Sequence, residues 1–148
     1  MSRESMLEIN CSRYSEKIID IISLFNKMGW KYFNSKGEVE YLPLGDDDDY
    51  DWQKSVLSDD EVREVINSKQ EHSEKIGLNL YYNNSFVGIS LLADNTSQIL
   101  LNLNINRKTI NDTRDALTDV TWYIKHIVQK LEAEGCTIEH FKVEEYVD

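Results

Sequence analysis

The sequence predicts an α+β protein in which a single antiparallel β-sheet of five or six strands carries helices on one face. Two segments, 13–28 and 117–131, have apolar residues at helical spacing. Short turns rich in glycine or asparagine separate pairs of β-branched and aromatic segments, which favours antiparallel pairing of neighbouring strands. Residues 99–106 alternate between apolar residues and asparagine, as a strand with one face in the core does. We expect one domain, 1–148.

The first half of the chain predicts a helix, a hairpin and a second helix. Residues 1–11 are expected to be a weakly structured lead-in to an amphipathic helix over 13–28, which Gly29 ends. Strands at 30–33 and 39–42 flank a turn, and Pro43 ends the second strand because proline has no N–H to donate. Ser58 and Glu61 form a capping box for a mostly exposed helix over 59–73.

The second half predicts three strands, a helix and a last strand. A hairpin over 78–92 turns around Asn83 and Asn84, and the strand 99–106 follows. The last helix contains Leu117 to Leu131 on one face and ends at Gly135, and residues 136–143 form the last strand. The predicted order is α-β-β-α-β-β-β-α-β. The first and third helices are the two main amphipathic ones that pack on the sheet.

The charge of the chain is −11 and is distributed unevenly. Residues 38–64 contain eleven acidic and two basic residues. Such a charge argues against nucleic acid and anionic membranes as partners and favours a basic protein. We expect a cytoplasmic protein, because no signal sequence and no apolar stretch of roughly 20 residues is present. Cys11 and Cys136 have no metal-ligand spacing; idle thiols are expected, and a disulfide stays open.

The sequence contains none of the motifs that usually carry catalysis. The three histidines lie in different predicted elements without metal-ligand spacing, and the glycines form neither a phosphate loop nor a nucleophile elbow. The aspartate run does not fit an EF-hand, because registers from Asp47 and Asp49 place Trp52 and Lys54 where glycine is required. We therefore expect no enzyme, no cofactor and no dedicated metal site, with weak Ca²⁺ or Mg²⁺ binding left open.

Residues 45–52, the acidic loop, are the candidate interface. Five carboxylates there repel one another, and two aromatic residues among them are typical of binding surfaces rather than linkers. The alternative is that Tyr50 and Trp52 hold the loop onto the domain while the aspartates face water. The predicted partner-binding residues are Asp46, Asp47, Asp48, Asp49, Tyr50, Asp51 and Trp52, flanked by Asp59, Asp60, Glu61 and Glu64 on the next helix.

Two segments carry a resemblance to a known type of protein. Residues 37–45 with the following Asp-Tyr-Asp-Trp, and residues 118–123, resemble the small acidic immunity proteins of bacterial polymorphic-toxin systems. These proteins guard against contact-dependent, wall-associated or Rhs-type toxins. The resemblance implies an antitoxin that binds a cognate toxin C-terminal domain, often a nuclease such as a tRNase, and occludes its basic surface.

Two alternatives from other classes stay open at this stage. One is an acidic nucleic-acid mimic that inhibits a DNA- or RNA-binding enzyme. The other is a small ligand-binding or enzymatic domain with a carboxylate pair, which requires a concave pocket. The sequence does not indicate an oligomeric state.

Overall fold

Hairpin connections in the middle of the chain build the centre of one antiparallel sheet. The structure is a computed structural model that describes residues 3–83, 85–111, 113 and 116–147. Within these residues the sheet has eight strands, in the order β4-β3-β5-β6-β7-β1-β8, with β2 also pairing with β5. The strands are β1 (Arg3–Ile9), β2 (Trp30–Lys31), β3 (Val39–Tyr41), β4 (Gln53–Ser55), β5 (Ile76–Tyr82), β6 (Gly88–Asn95), β7 (Gln98–Ile105) and β8 (Phe141–Val147).

Three helices accompany the sheet in the described part of the chain. They are α1 (Ile18–Lys27), α2 (Asp59–Glu71) and α3, which consists of an α-helical Val120–Tyr123, a π-helical Ile124–Val128 and an α-helical Gln129–Ala133. The α+β class and the single antiparallel sheet are therefore confirmed. The sheet is larger than the predicted five or six strands, because β1 and β4 add to it.

The N-terminal segment is the largest correction. The predicted lead-in over 1–11 is wrong, since β1 is an interior strand between β7 and β8. Leu7 and Ile9 lie in the core, while Glu4 and Glu8 alternate with them on the other face. Only Leu7 and Ile9 follow the alternation, because Met6 lies on the other face, so the period-two pattern is too short to distinguish this segment from a loop.

Other predicted boundaries shift by several residues. Helix α1 begins at Ile18 rather than at residue 13 and ends before Gly29, as predicted, with φ of 101° at that glycine. The predicted hairpin over 30–42 is reduced to one isolated bridge between Phe33 and Val39, because β2 and β3 each pair with β5. The last strand is 141–147 rather than 136–143. The β5–β6 hairpin is confirmed; Asn84 in its turn lies outside the described residues.

The helices pack on one face of the sheet around a single apolar core. Helix α1 buries six apolar side chains, and α2 adds Val62 and Ile66. Helix α3 adds Tyr123, Ile127, Val128 and Leu131. The core therefore takes side chains from all three helices, although the apolar stripe of α2 is narrow.

Helix α3 differs from its prediction at the start and in the middle. Asp119 caps it by accepting a hydrogen bond from the Trp122 N–H at 3.1 Å, so Leu117 lies outside the helix and is 49% exposed. Trp30 donates its indole Nε1–H to the His126 carbonyl oxygen within the π-helical segment, at 2.9 Å. An inserted side chain of this kind is a common cause of a wider helical turn.

The face of the sheet opposite the helices, the open face, carries a row of hydrogen-bonded polar residues. Asn79 donates to Glu40 at 2.9 Å, and Ser90 donates to the Asn79 oxygen at 2.7 Å. Tyr81 donates to Glu40 at 3.0 Å, and burial together with this bond raises the pKa of Tyr81 to about 12. Strand β5 is therefore tied to β3 by side chains as well as by its backbone.

Cys11 and Cys136 are both buried and are free thiols. A hydrogen bond to Cys136, together with burial, raises the pKa of the Cys11 thiol. In the part of the chain that the structure describes, no helix is both long and apolar enough to cross a lipid bilayer.

Candidate functional site

The acidic loop connects β3 to the edge strand β4. Strand β3 ends at Tyr41, two residues before Pro43, as the proline predicted. Gly45 then has a φ of 91°, a left-handed conformation in which a side chain is disfavoured. The chain therefore turns sharply at the start of the aspartate run and returns to pair with β3 at Gln53–Ser55.

Asp46 does not lie on the surface but is only 5% exposed, in contrast to the other aspartates of the run. One of its carboxylate oxygens accepts the backbone N–H groups of Asp49 and Tyr50, both at 3.1 Å, and the other accepts that of Asp51 at 2.7 Å. Aspartate side chains often organise turns in this way. Asp46 is therefore the inner support of the loop, and its carboxylate faces the loop backbone rather than solvent.

Lys69 of α2 is the second inner support, and its side chain has no solvent exposure. Its ammonium group donates to the carbonyl oxygens of Pro43 at 2.7 Å and Asp46 at 2.6 Å, and to the Glu74 carboxylate at 3.3 Å. The same Glu74 oxygen accepts the Gly45 N–H at 2.8 Å. A buried charge is tolerated when it is paired and hydrogen-bonded in this manner.

Sequence reasoning missed Lys69 and Glu74, although the sequence holds a signal for the first. Val62, Ile66 and Lys69 recur at i, i+4 and i+7, so Lys69 continues the buried stripe of α2. A lysine on a buried stripe needs acceptors, and the carbonyl groups of a tight loop supply them.

The two aromatic residues of the loop have different roles. Trp52 is half-buried and packs over Gly77 beside Leu42: a Cβ added at Gly77 would lie 3.0 Å from its ring and 2.6 Å from Leu42. Tyr50 is 49% exposed and has a φ of 54°, which costs energy for a residue other than glycine. Trp52 therefore belongs to the fold, whereas Tyr50 projects from it.

The remaining aspartates of the loop are exposed. Asp47 also accepts the backbone N–H of Lys75 at 2.8 Å, which ties the loop to the segment before β5. Asp48, Asp49 and Asp51 present their carboxylates to solvent from a backbone that Asp46 and Lys69 hold. The surface contributed by the loop is thus Asp48, Asp49, Tyr50 and Asp51.

The flanking acidic residues lie in the first two turns of α2. The capping box is confirmed: the Glu61 N–H donates to Ser58 Oγ at 3.1 Å, and the Ser58 N–H donates to Glu61 Oε1 at 3.0 Å. Asp59 accepts the hydroxyl of Tyr32, and burial together with this bond raises the pKa of Tyr32. Asp60 and Glu64 are exposed.

The acidic loop and the acidic residues of α2 lie at opposite ends of that helix. The loop is anchored at Lys69, and residue 59 is ten residues away, roughly 15 Å along the helix axis at 1.5 Å per residue. Val56, between β4 and α2, is 77% exposed, and Leu44 at the start of the loop is also exposed. The arrangement is two acidic clusters with exposed apolar side chains near them, and sequence reasoning had not singled out Leu44 or Val56.

Outside the acidic loop and α2, the candidate sites to consider are metal-ligating clusters and surface depressions. Among the residues that the structure describes, no three His, Cys, Asp or Glu side chains are arranged to hold a metal ion. A surface depression of about 590 Å³ is lined by Tyr14, Ser15, Asp20, Ser23, Leu24 and Lys27. Its one carboxylate, Asp20, accepts the Ser15 hydroxyl at 2.6 Å. This depression does not bring two carboxylates together.

Comparisons of the chain with protein-family models, with curated protein sequences and with solved structures found no significant match.

Proposed function

We propose that this chain is an immunity protein that binds the C-terminal domain of a cognate toxin and occludes a basic surface on it. The observation that supports this function best is the construction of the acidic loop. Asp46 and Lys69 hold its backbone from inside, so that Asp48, Asp49, Tyr50 and Asp51 project from a fixed base. The chain is a binding protein in this proposal and needs no cofactor.

A fixed loop favours tight binding because less conformational entropy is lost when the complex forms. Clustered carboxylates also attract a basic partner and can raise its association rate by roughly 10- to 1,000-fold at low salt. An exposed aromatic residue among charges is the type of side chain on which binding energy concentrates. Backbone strain at such a residue is often found at functional positions, and Tyr50 combines both features.

The second acidic cluster, Asp59, Asp60, Glu61 and Glu64, would flank the interface centre. Asp59 and Glu61 already accept hydrogen bonds from Tyr32 and Ser58. Asp60 and Glu64 are therefore the members of this cluster that we expect to contribute most to a partner. The exposed Val56 would add apolar contact area beside it.

The choice of toxin rests on the resemblance to immunity proteins and on charge. A nuclease such as a tRNase binds its substrate through a basic cleft, because phosphate contacts dominate nucleic-acid affinity. An acidic surface that covers this cleft excludes the substrate. The cytoplasm is the compartment in which such a toxin would act and where we place the inhibitor.

The test measures affinity for the cognate toxin domain, which we would seek as the variable C-terminal domain of a large secreted protein encoded beside this chain. Asp48→Lys/Asp49→Lys is compared by calorimetry at physiological salt with Glu16→Lys/Glu132→Lys, which changes two exposed glutamates elsewhere by the same total charge. Close interfacial charge pairs contribute about 1.5–7 kcal/mol, so we expect the loop variant to bind at least about 100-fold more weakly. Equal affinities of the two variants would refute the assignment of the loop.

Tyr50→Gly separates binding from stability at the same loop. Glycine adopts a positive φ without penalty, so the free energy of unfolding should stay unchanged or rise by up to about 1 kcal/mol. Loss of the ring should nevertheless weaken toxin binding about tenfold or more. A variant that binds as tightly as the native protein would show that Tyr50 is not an anchor.

The nucleic-acid mimic predicts a different geometry. It requires carboxylates spaced along an extended surface like phosphates, whereas the acidic residues here form two clusters at opposite ends of α2. A mimic would also inhibit nucleic-acid-binding enzymes unrelated to the cognate toxin, which a nuclease inhibition panel would detect.

A further inference from the structure

Strand β8 forms one edge of the sheet and is long for an edge strand. It spans seven residues, Phe141–Val147, and pairs with β1 in an uninterrupted register from Arg3↔Val147 to Ile9↔Phe141. It has no proline and no bulge, two of the features by which proteins protect sheet edges from other chains. Phe141, Tyr146 and Val147 are exposed on it.

The hydrogen-bonding phase of β8 follows from one contact just beyond it. The Asn10 N–H donates to the His140 carbonyl oxygen at 3.1 Å, in the same register as the β1–β8 ladder. Because bonded and non-bonded pairs alternate in an antiparallel ladder, residues 140, 142, 144 and 146 point their N–H and C=O groups toward β1. Phe141, Val143, Glu145 and Val147 point theirs away from the sheet. No described residue outside β1 forms a backbone pair with β8.

The side chains of the edge carry balanced charge. Lys142 and Glu144 lie on the open face and form an ion pair at 2.9 Å. Glu145, on the helix face, accepts hydrogen bonds from the Thr118 backbone N–H at 2.9 Å and the Thr118 hydroxyl at 2.8 Å, and lies 3.6 Å from Arg107 Nη1. The outer edge is thus locally close to neutral in a chain whose net charge is −11.

We propose that β8 pairs antiparallel with β8 of a second copy of this chain, across a two-fold axis at Val143. In this register Val143 opposes its own copy, Phe141 opposes Glu145, and Lys142 of each chain opposes Glu144 of the other. All bonded pairs are formed by residues whose N–H and C=O groups already point outward. The two sheets then continue into one another.

Charge selects this register over its neighbours. If the partner strand slides by two residues in one direction, Lys142 of each chain lies opposite Lys142 of the other. If it slides by two residues in the other direction, Glu144 lies opposite Glu144. Like charges directly opposite one another destabilise strand pairing, whereas opposite charges stabilise it. Registers shifted by a single residue are excluded by the hydrogen-bonding phase, because they place an outward-pointing residue of one strand opposite an inward-pointing residue of the other.

The dimer is independent of the proposed toxin site. Strands β8 and β4 are at opposite ends of the sheet, six strand intervals apart, which is roughly 29 Å at about 4.8 Å per interval. Both acidic loops therefore remain accessible in the dimer. A variant can therefore lose toxin binding without losing dimerisation, and the two proposals can fail independently.

The test is sedimentation equilibrium of the full chain at physiological salt, from low to high micromolar concentration. We expect a monomer–dimer equilibrium. Lys142→Glu and Glu144→Lys should each weaken it at least about tenfold, because each variant converts two attractive cross-strand pairs into two repulsive ones. An equimolar mixture of the two variants should recover a dimer, since carboxylates at 142 and 144 of one chain then face ammonium groups of the other.

Two further variants act as controls. Lys36→Glu changes an exposed lysine in the turn before β3 by the same charge and should leave the equilibrium unchanged. Val143→Pro removes an outward N–H without removing a bond to β1, so it should abolish the dimer while circular dichroism shows a folded chain. A chain that stays monomeric at every concentration would overturn the proposal. So would a dimer that tolerates both charge variants, or a mixture that does not recover it.

Discussion

The two edges of the sheet expose different chemical groups to solvent. At one edge β4 has three residues, and along the chain the acidic loop directly precedes it and α2 follows it. At the other edge β8 has seven residues and a free row of backbone groups in the described structure. The β4 edge thus offers charged side chains on a fixed loop, and the β8 edge offers a backbone. Side chains can select one partner by charge, whereas a bare strand recognises another strand.

Each edge is fastened by an ionisable side chain that is largely or fully shielded from solvent. Lys69 holds the acidic loop beside β4 through three oxygen acceptors. Glu145 holds β8 against the segment before α3 through Thr118 and Arg107, and against β1 through Ser5 at 3.2 Å. Lys69 has no exposure, and the Glu145 side chain is 19% exposed. Loss of the first should therefore have the larger effect.

Lys69→Met should give the largest loss of stability. Methionine fills a similar volume but leaves the Asp46 carbonyl oxygen and the Glu74 carboxylate without the ammonium donor. Removal of one partner from a buried charge network costs about 3–5 kcal/mol, and urea unfolding would measure it. Lys54→Met is the matched control, because Lys54 is exposed and lies 3.8 Å from Glu40. Similar midpoints for both variants would contradict the role of Lys69.

Asp46→Asn should have an intermediate effect confined to the acidic loop. The amide group retains one acceptor oxygen but places N–H groups against a backbone N–H of Asp49, Tyr50 or Asp51. Hydrogen bonds to a charged acceptor contribute about 1.5–3 kcal/mol, so we expect a loss of about 2–3 kcal/mol.

Asp48→Asn is the control for this substitution, since Asp48 is exposed and its change should stay within about 0.5 kcal/mol. Amide hydrogen exchange would show faster exchange at residues 49–51 in the Asp46 variant alone. Equal exchange rates in both variants would mean that Asp46 does not organise the loop.

Glu145→Gln should have the smallest effect, and one that depends on pH. Burial by itself would raise the pKa of Glu145, but hydrogen bonds from Thr118 and Ser5 and the charge of Arg3 lower it below the usual 4.5. A lowered folded-state pKa contributes stability above the unfolded pKa, and that contribution is lost as pH falls through the folded value. The variant should be less stable by about 1 kcal/mol at pH 7, and the difference should close in acid.

Thermal melts of the native protein and the Glu145 variant between pH 7 and pH 3 check this behaviour. If the difference in Tm between the two proteins is the same at every pH in this range, the carboxylate charge does not stabilise β8. A difference that grows in acid would reverse the sign of the linkage.

The sequence predicted correctly those features of the fold that depend on interactions between residues close together in the chain. The capping box of Ser58 and Glu61, the end of β3 before Pro43 and the alternation of β7 each depend on neighbours within a few residues. Strand β1 escaped prediction because its apolar pattern is short and its two partners, β7 and β8, lie about 90 and 140 residues further along the chain. The late start of α1 involves a distant contact, since the Ile18 N–H donates to the Gln70 side chain. The late start of α3 has a local cause, the Asp119 cap, which the prediction missed.

By itself, the sequence determined that the chain is α+β, that it is strongly acidic, and that its aspartate run lies on a loop after a proline-terminated strand. Only the tertiary structure decided which of those aspartates face solvent. Asp46 turns inward because three backbone N–H groups and the Lys69 ammonium group beneath the loop satisfy polar groups that water would otherwise have to solvate. Composition cannot distinguish this aspartate from its neighbours, since burial is a property of position in the fold.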